Sequence, residues 1–271
     1  MKRLPSYTDT KNKIIGIIPV RMKASRFPGK PLKKIINLTM LEHVYYRSKF
    51  FKHWTKLIVA TCDKEIFEYC KIKKIPCIMT SNKHKRCLDR VHEAANKMKF
   101  KLKNKDIVVC VQGDEPMLTA NMIDKTIQPL FLKKNALGSV LAMDIIHEKQ
   151  FKNKDIVKII HDTNGQVLYT SRAPVPYCKK FNKKIKAKRV GGIFAFKWNF
   201  LKRFNKTKES FLEKIEACDS NRICDNGGGQ FIARYPFRPY FSVDSPRDLK
   251  VVIKHMKKDR VYRKYKKMQI I

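Results

Sequence analysis

The chain has 271 residues and carries 61 Lys and Arg against 23 Asp and Glu, a formal net charge of +38. An apolar share of 43% suffices for one sizeable core, or one core with a small appended lobe, and excludes a chain disordered throughout. The basic excess points first to nucleic acid, but its 46 Lys and 15 Arg are spread along the whole sequence, whereas phosphate- and base-reading surfaces concentrate charge and favour Arg, so nucleic-acid binding is not expected.

Residues 1–12 are polar and basic and are expected to fray. The first apolar run, from Ile14 to Val20, is far shorter than the ~18 residues a bilayer span needs, and Arg21 follows at once. It reads as a buried strand rather than a secretory leader. From there short β-branched runs alternate with helical stretches, which predicts an α/β domain with a mostly parallel sheet. Strands are predicted at Ile14–Pro19, Leu57–Ala60, Cys77–Met79, Ile107–Val111, Leu137–Met143, Val157–His161 and Gly192–Phe196. Helices are predicted near 40–51, 64–73, 87–99, 120–133, 209–217 and 246–257, and a late strand near Phe241. The run Gly227–Gly229 reads as a turn. Eight cysteines lie scattered with no C-x-x-C pair, so reduced, mostly buried thiols in a cytoplasmic protein are expected.

In such sheets the loops leaving the carboxyl ends of strands form the ligand crevice. Three loops carry unusual chemistry. The first, PVRMKASRFPGKPL over 19–32, places Arg21, Lys23, Arg26 and Lys30 around a Pro28-Gly29 turn. Converging cations and close backbone amides suit a polyphosphate, although a solvated basic loop is the plainer alternative. The second, VQGDEP over 111–116, sets Asp114 and Glu115 at the end of an apolar strand, where a carboxylate can hold a hard divalent ion or cap a turn. In the third, SVDSPRDL over 242–249, Ser245 and Pro246 read as the N-cap and first residue of a helix, which leaves Asp244 available for a metal.

Taken together, IIPVRMKASRFPGKPL, IVATCD, VVCVQGDEP, LYTSRAPVPY, GGIFAF, LEKIE and VDSPRDL closely resemble the CMP-Kdo synthetases (3-deoxy-manno-octulosonate cytidylyltransferases), in order and approximate spacing, from about Ile14 to Lys257. The resemblance implies a GT-A-like nucleotidyltransferase fold over 13–257, a mostly parallel central sheet flanked by helices, with a small acceptor and dimerisation lobe at about 165–240 and basic terminal extensions at 1–12 and 258–271. It implies that CTP and an acidic sugar, a 3-deoxy-2-ulosonic acid, meet with Mg²⁺ in one crevice. The anomeric hydroxyl attacks the α-phosphorus and pyrophosphate leaves. By the same resemblance Arg21, Ser25, Arg26, Lys30, Arg90 and Gln112 bind the nucleotide, and Asp114 and Asp244 bind the metal. Gln112, Arg172, Glu216 and Asp219 bind the sugar. Arg21, Lys30, Asp114 and Asp244 are the catalytic set. A homodimer and a role in lipopolysaccharide or surface-polysaccharide synthesis are also implied.

The chain departs from that pattern where the base and sugar are expected. The family's H-x-S-G-T-D/E-R is here His84-Lys85-Arg86-Cys87-Leu88-Asp89-Arg90. Val190-Gly191-Gly192-Ile193 lacks the family's His, Asp219 and Ser220 shorten a Glu-Gln pair, and Cys62 replaces an Asp. These changes point to a nucleotidyltransferase whose base or acceptor sugar could differ; a basic surface- or nucleic-acid-binding protein on a retired enzyme fold is the rival of another class. The C-terminal stretch 254–271 is basic with interleaved Val261, Tyr262 and Tyr265; a helix packed on the domain is favoured over a helix lying on anionic lipid.

Overall fold

A computed structural model describes residues 11–24, 26–239 and 242–266. Its strands are β1 (Ile14–Val20), β2 (Lys34–Ile35), β3 (Leu38–Thr39), β4 (Lys56–Thr61), β5 (Cys77–Met79), β6 (Ile107–Val111), β7 (Gly138–Asp144), β8 (Lys158–His161), β9 (Val167–Ser171), β10 (Lys188–Lys197) and β11 (Gln230–Tyr235). Its helices are α1 (Met40–Lys49), α2 (Lys64–Ile72), α3 (Cys87–Asn96), α4 (Ala120–Ile127), α5 (Pro129–Leu132), α6 (Glu148–Lys152), α7 (Trp198–Lys206), α8 (Phe211–Glu216), α9 (Asp219–Asp225), α10 (Pro246–Met256) and α11 (Arg260–Tyr265).

The described residues divide into two compact units. The first holds residues 13–101, 108–123 and those from 239 onward; the second holds 102–107 and 124–238. In the first, β6, β1, β4 and β5 lie side by side, with β1–β4 and β4–β5 parallel. All seven residues of β1 are buried, because helices cover both faces of a parallel sheet. Each such Ile or Val contributes about 1.5–3 kcal/mol relative to exposure. Thr39 opens α1 and Ser245 opens α10, each with a reciprocal capping box, to Glu42 and Asp248 respectively, and Pro246 takes the first turn of α10 as its fixed φ favours.

The second unit is built on β7, paired parallel with β11 and antiparallel with β10; β8 joins β10 and β9 in antiparallel order. A third capping box, Ser210 with Glu213, starts α8. Arg222 on α9 grips Glu213 through two bonds of 2.6 and 2.7 Å with both side chains buried, which locks α8 to α9. The acceptor lobe expected over about 165–240 falls almost wholly within this unit.

Several elements differ from expectation. The helix predicted over 120–133 is two helices, since Pro129 cannot donate a helical hydrogen bond and starts a new turn. The strand predicted from Gly192 begins at Lys188 and shifts register between Val190 and Phe194, where Gly191 and Gly192 interrupt the β-branched signal. Strands β2, β3, β9 and β11 and helices α6, α7 and α9 were not predicted, whereas α11 agrees with the packed terminal helix favoured for 254–271. The thiols are all free, three buried and five half-buried, rather than mostly buried. The terminal extension expected from 258 is, over 260–265, a helix with Tyr262 and Tyr265 buried in the first unit, because its aromatic face completes an apolar cluster there. Residues 1–10, Ser25, Tyr240, Phe241 and 267–271 lie outside the described residues, so the late strand expected near Phe241 does too. Among the described residues no helix is long and apolar enough to cross a membrane.

Candidate active site

The first unit contains a cavity of about 280 Å³. The end of β1 and the loop after it supply Arg21, Arg26 and Lys30, the loop after β6 supplies Gln112 and Asp114, and Asp244 comes from just before α10. Two glycines make this geometry possible. Gly29 takes φ +69, and its N–H donates to the Met22 carbonyl at 2.9 Å, closing the basic loop on itself. Gly113 passes so close to β1 that an added Cβ would lie 2.2 Å from a Val20 methyl carbon, so only glycine brings Asp114 beneath the basic loop. A further anchor had no predicted role: the Asp63 carboxylate accepts the Met22 N–H at 2.8 Å and holds the start of the loop.

Lys30 lies at the centre. Its ammonium donates to Asp114 Oδ2 at 2.7 Å, to the Val243 carbonyl at 3.1 Å and to Asp244 Oδ1 at 3.3 Å. Burial would lower its pKa, but the two carboxylates outweigh that and raise it, so Lys30 carries charge and does not serve as a base. Arg26 reaches Asp244 Oδ1 at 3.0 Å. Arg21 is exposed on the cavity rim and makes no ion pair among the described residues.

Two aspartates from loops far apart in sequence thus meet at one cation. Asp114 Oδ1 is buried and, among the described residues, accepts no hydrogen bond. An all-oxygen pair with one orphaned carboxylate oxygen suits Mg²⁺, which takes one or two carboxylates and keeps waters and phosphates for its other positions. Among the described residues no cluster of three or more His, Cys, Asp and Glu forms a closed protein cage.

Another part of the cavity lining is the stretch that departs from the family pattern. His84, Lys85, Arg86, Cys87 and Arg90 line the cavity there. Arg90 is only 3% exposed, and its guanidinium is held by Thr80 Oγ1 at 2.5 Å and the Ser81 carbonyl at 3.3 Å, so it stiffens the wall. Gln112 Nε2 points at Cys87 Sγ, 3.7 Å away. His84 bonds to Glu93, which also accepts the Ser81 N–H. Burial would raise the Glu93 carboxyl, but the bonds from Lys97, Ser81 and His84 hold it down at about 2.

The predicted sugar residues other than Gln112 lie in the second unit. There Glu216 Oε1 accepts the hydroxyls of Tyr169 at 2.9 Å and Ser171 at 2.8 Å, while Oε2 accepts the Arg172 N–H at 2.7 Å. Burial works against ionisation of Glu216, yet these bonds lower its pKa. Arg172 donates from Nε to the Glu216 carbonyl at 2.8 Å and from Nη1 to the Lys154 carbonyl at 3.1 Å; Nη2 has no hydrogen bond among the described residues. Lys158, which the sequence reading missed, is fully buried and donates to the carbonyls of Asn153, Ile156 and Arg172 at 2.6–2.9 Å. Three acceptors use every hydrogen of an ammonium, which keeps it charged although burial lowers its pKa to about 8. A lysine inside the apolar strand Val157-Lys158-Ile159-Ile160 was the signal. Asp219 is buried at the start of α9.

A strand–loop crevice of cations over paired aspartates defines a nucleotidyltransferase-type site, and comparison with known proteins narrows it. The family model described as "Cytidylyltransferase" matches residues 15–232. The 3-deoxy-manno-octulosonate cytidylyltransferase of Nitratidesulfovibrio vulgaris is 35% identical over 241 residues, 88% of this chain and 94% of that protein. Its counterpart in Thermodesulfovibrio yellowstonii is 36% identical over 248 residues, 89% of this chain and 96% of that one. Among solved structures, a CMP:2-keto-3-deoxy-manno-octonic acid synthetase complexed with CTP superposes with a TM-score of 0.81 at 28% identity, covering 91% of this chain and 99% of that chain. A 4-diphosphocytidyl-2C-methyl-D-erythritol synthase shares the fold alone, with a TM-score of 0.61 at 13% identity. The chain belongs to the CMP-Kdo synthetase family of cytidylyltransferases and is an enzyme of that nucleotidyltransferase class.

Proposed function

We propose that the enzyme transfers a cytidylyl group from CTP to the anomeric hydroxyl of Kdo or a close 3-deoxy-2-ulosonic acid, yielding the CMP-sugar and pyrophosphate. The observation that carries this reading is the convergence of Lys30, Asp114 and Asp244 within bonding distance in a cavity rimmed by Arg21 and Arg26. The names of the relatives in two bacteria and of the CTP-bound neighbour support the substrates.

Asp114 and Asp244 would hold Mg²⁺, which when bound supplies charge neutralisation at the α-phosphoryl group. The protein's own part is positional. Arg21, Arg26 and Lys30 bind the triphosphate and offset the charge that builds on the leaving pyrophosphate. Ser25, outside the described residues, belongs to the same loop. Gln112 and the His84–Arg90 wall face the rest of the nucleotide. Arg172, with Nη2 available, pairs with the sugar carboxylate; Glu216 holds its backbone, and Asp219 supports the same pocket. In-line attack then needs correct placement more than covalent help.

Two features belong to this reading as proposals. Exposed Leu168, Phe211 and Ile215, at 52%, 74% and 62%, are apolar surface on the second unit that a homodimer would cover. Free thiols and a nucleoside triphosphate substrate suit the cytoplasm. The Arg86–Leu88 segment favours one variant reading, a transferase with altered base or sugar preference. Calorimetric titration with CTP, UTP, ATP and GTP in Mg²⁺ tests the nucleotide. CTP binding tightest supports the proposal, and a purine triphosphate binding tightest overturns it.

A further inference from the structure

The three loops of the nucleotide site share one apolar foundation. Phe27 follows Arg26, Met117 lies three residues beyond Asp114, and Val243 directly precedes Asp244; all three belong to one buried cluster with Met256, Tyr262 and Tyr265. The last two come from α11, at the end of the described chain, so the C-terminal segment is part of the floor beneath these loops.

Polar groups fasten this floor. Arg47 on α1 is wholly buried, and Nη2 meets Asp259 at 2.5 Å. Its Nε donates to the Tyr265 hydroxyl at 3.1 Å and its Nη1 to the Leu118 carbonyl at 3.1 Å. Directions can be assigned along the chain. His43 Nε2 lies 2.8 Å from the Ile35 carbonyl, which only accepts, so Nε2 carries the proton and Nδ1 accepts from the Tyr265 hydroxyl at 2.5 Å. A neutral ring fits its setting, since burial pushes His43 down to about 4. The sequence of donors therefore runs Arg47 to Tyr265 to His43 to Ile35, with a branch from Arg47 to Leu118.

Leu118 closes the turn that directly follows Asp114: its N–H donates to the Glu115 carbonyl at 3.1 Å, and the Val243 N–H donates to the Asp114 carbonyl itself at 2.9 Å. This stretch is pinned on one side by Arg47, through Leu118, and on the other by Val243, the residue before Asp244. We infer that Arg47 and Tyr265 are positioning residues that hold the Asp114 carboxylate in its metal-binding place, so that α11 is a working part of the nucleotide site. This rests on the metal-binding assignment of Asp114 proposed above.

The test compares full-length wild type with Tyr265→Phe, which removes one oxygen, and Arg47→Lys, which keeps the charge but loses the fork to Leu118. Mn²⁺ affinity is read from the electron spin resonance of the free ion in the presence of CTP, together with amide hydrogen exchange over residues 113–118 and thermal unfolding. Both variants are expected to bind Mn²⁺ about tenfold more weakly, as loss of an outer support typically does, and to exchange faster at 113–118 while remaining cooperatively folded. Folded variants with Mn²⁺ affinity and local exchange within about twofold of wild type would overturn the inference. If Arg47→Lys does not fold, Tyr265→Phe alone decides. If wild type binds no Mn²⁺, the metal assignment of Asp114 fails, and the part played by Arg47 and Tyr265 is then decided by local exchange at 113–118, unchanged exchange refuting it.

Discussion

Around Asp114 and Asp244 charged groups line a cavity and pair with one another, whereas the Glu216 carboxylate is engaged on both oxygens by Tyr169, Ser171 and the Arg172 backbone of its own unit. Lys30 bonds to groups that a metal and a triphosphate would claim, so its contacts are of the kind exchanged on binding. Glu216, by contrast, spends its carboxylate on Tyr169, Ser171 and the Arg172 backbone, and Lys158 seals the far side of the same turn. The difference teaches that the two sets of predicted residues are built differently: on the proposed reading one set would meet ligand directly, while the other mainly fixes the backbone that carries Arg172.

The largest effect that would sharpen this contrast is loss of either aspartate. Asp114→Ala or Asp244→Ala should reduce Mg²⁺-dependent turnover by on the order of a thousandfold, equal to about 4 kcal/mol of transition-state stabilisation. A loss of only a few-fold would remove both from the metal site. Next comes the second unit. Arg172→Ala and Glu216→Gln should each raise the acceptor KM by about tenfold to a hundredfold and leave the CTP KM within about twofold, because a charged hydrogen bond is worth about 1.5–3 kcal/mol. A shift in CTP saturation instead would show that the contrast between the two regions is misdrawn.

A smaller effect is expected on the cavity wall. Combining Arg86→Ser and Cys87→Gly should change discrimination between CTP and UTP by about tenfold, measured as the ratio of kcat/KM values. Unchanged discrimination would mean that this wall does not read the base. The smallest effect is a pH dependence of stability. Glu93 is held at about 2 against an ordinary 4.5, so its stabilising contribution is present above about 4.5 and is lost as pH falls towards 2. Glu93→Gln should therefore unfold at a lower temperature than wild type at pH 7, and the gap should narrow on acidification through that window. A gap constant with pH would show that Glu93 acts only by packing.

The parallel strands of the first unit were legible because burial on both faces makes continuous β-branched runs, as in Ile14–Val20 and Ile107–Val111. The loops after β1 and β6 were legible for a different reason: Gly29 takes φ +69, which favours glycine, and Gly113 has no room for a Cβ against Val20, so the motifs stand out. Helix α7 carries Trp198, Leu201 and Phe204 on one face, a periodic signal that was present and overlooked. Strand β9 was not legible. Its burial runs buried, exposed, half-buried, buried, buried, with no period-two pattern to read, and what fixes it is the Asn221 amide, which accepts from the Thr170 N–H at 2.9 Å from 51 positions away. The tie between Arg47 and Tyr265, 218 positions apart, was hidden likewise, since local pattern carries no record of such distant partners.

The most direct test of the central claim is pyrophosphate release by the full-length protein supplied with Mg²⁺, CTP and freshly prepared Kdo, with the Asp114→Ala protein as the blank. Release above that blank, requiring all three components together, is the predicted result. No release above the blank with any nucleoside triphosphate or any acidic sugar would contradict the assignment of this cavity as a working cytidylyltransferase site.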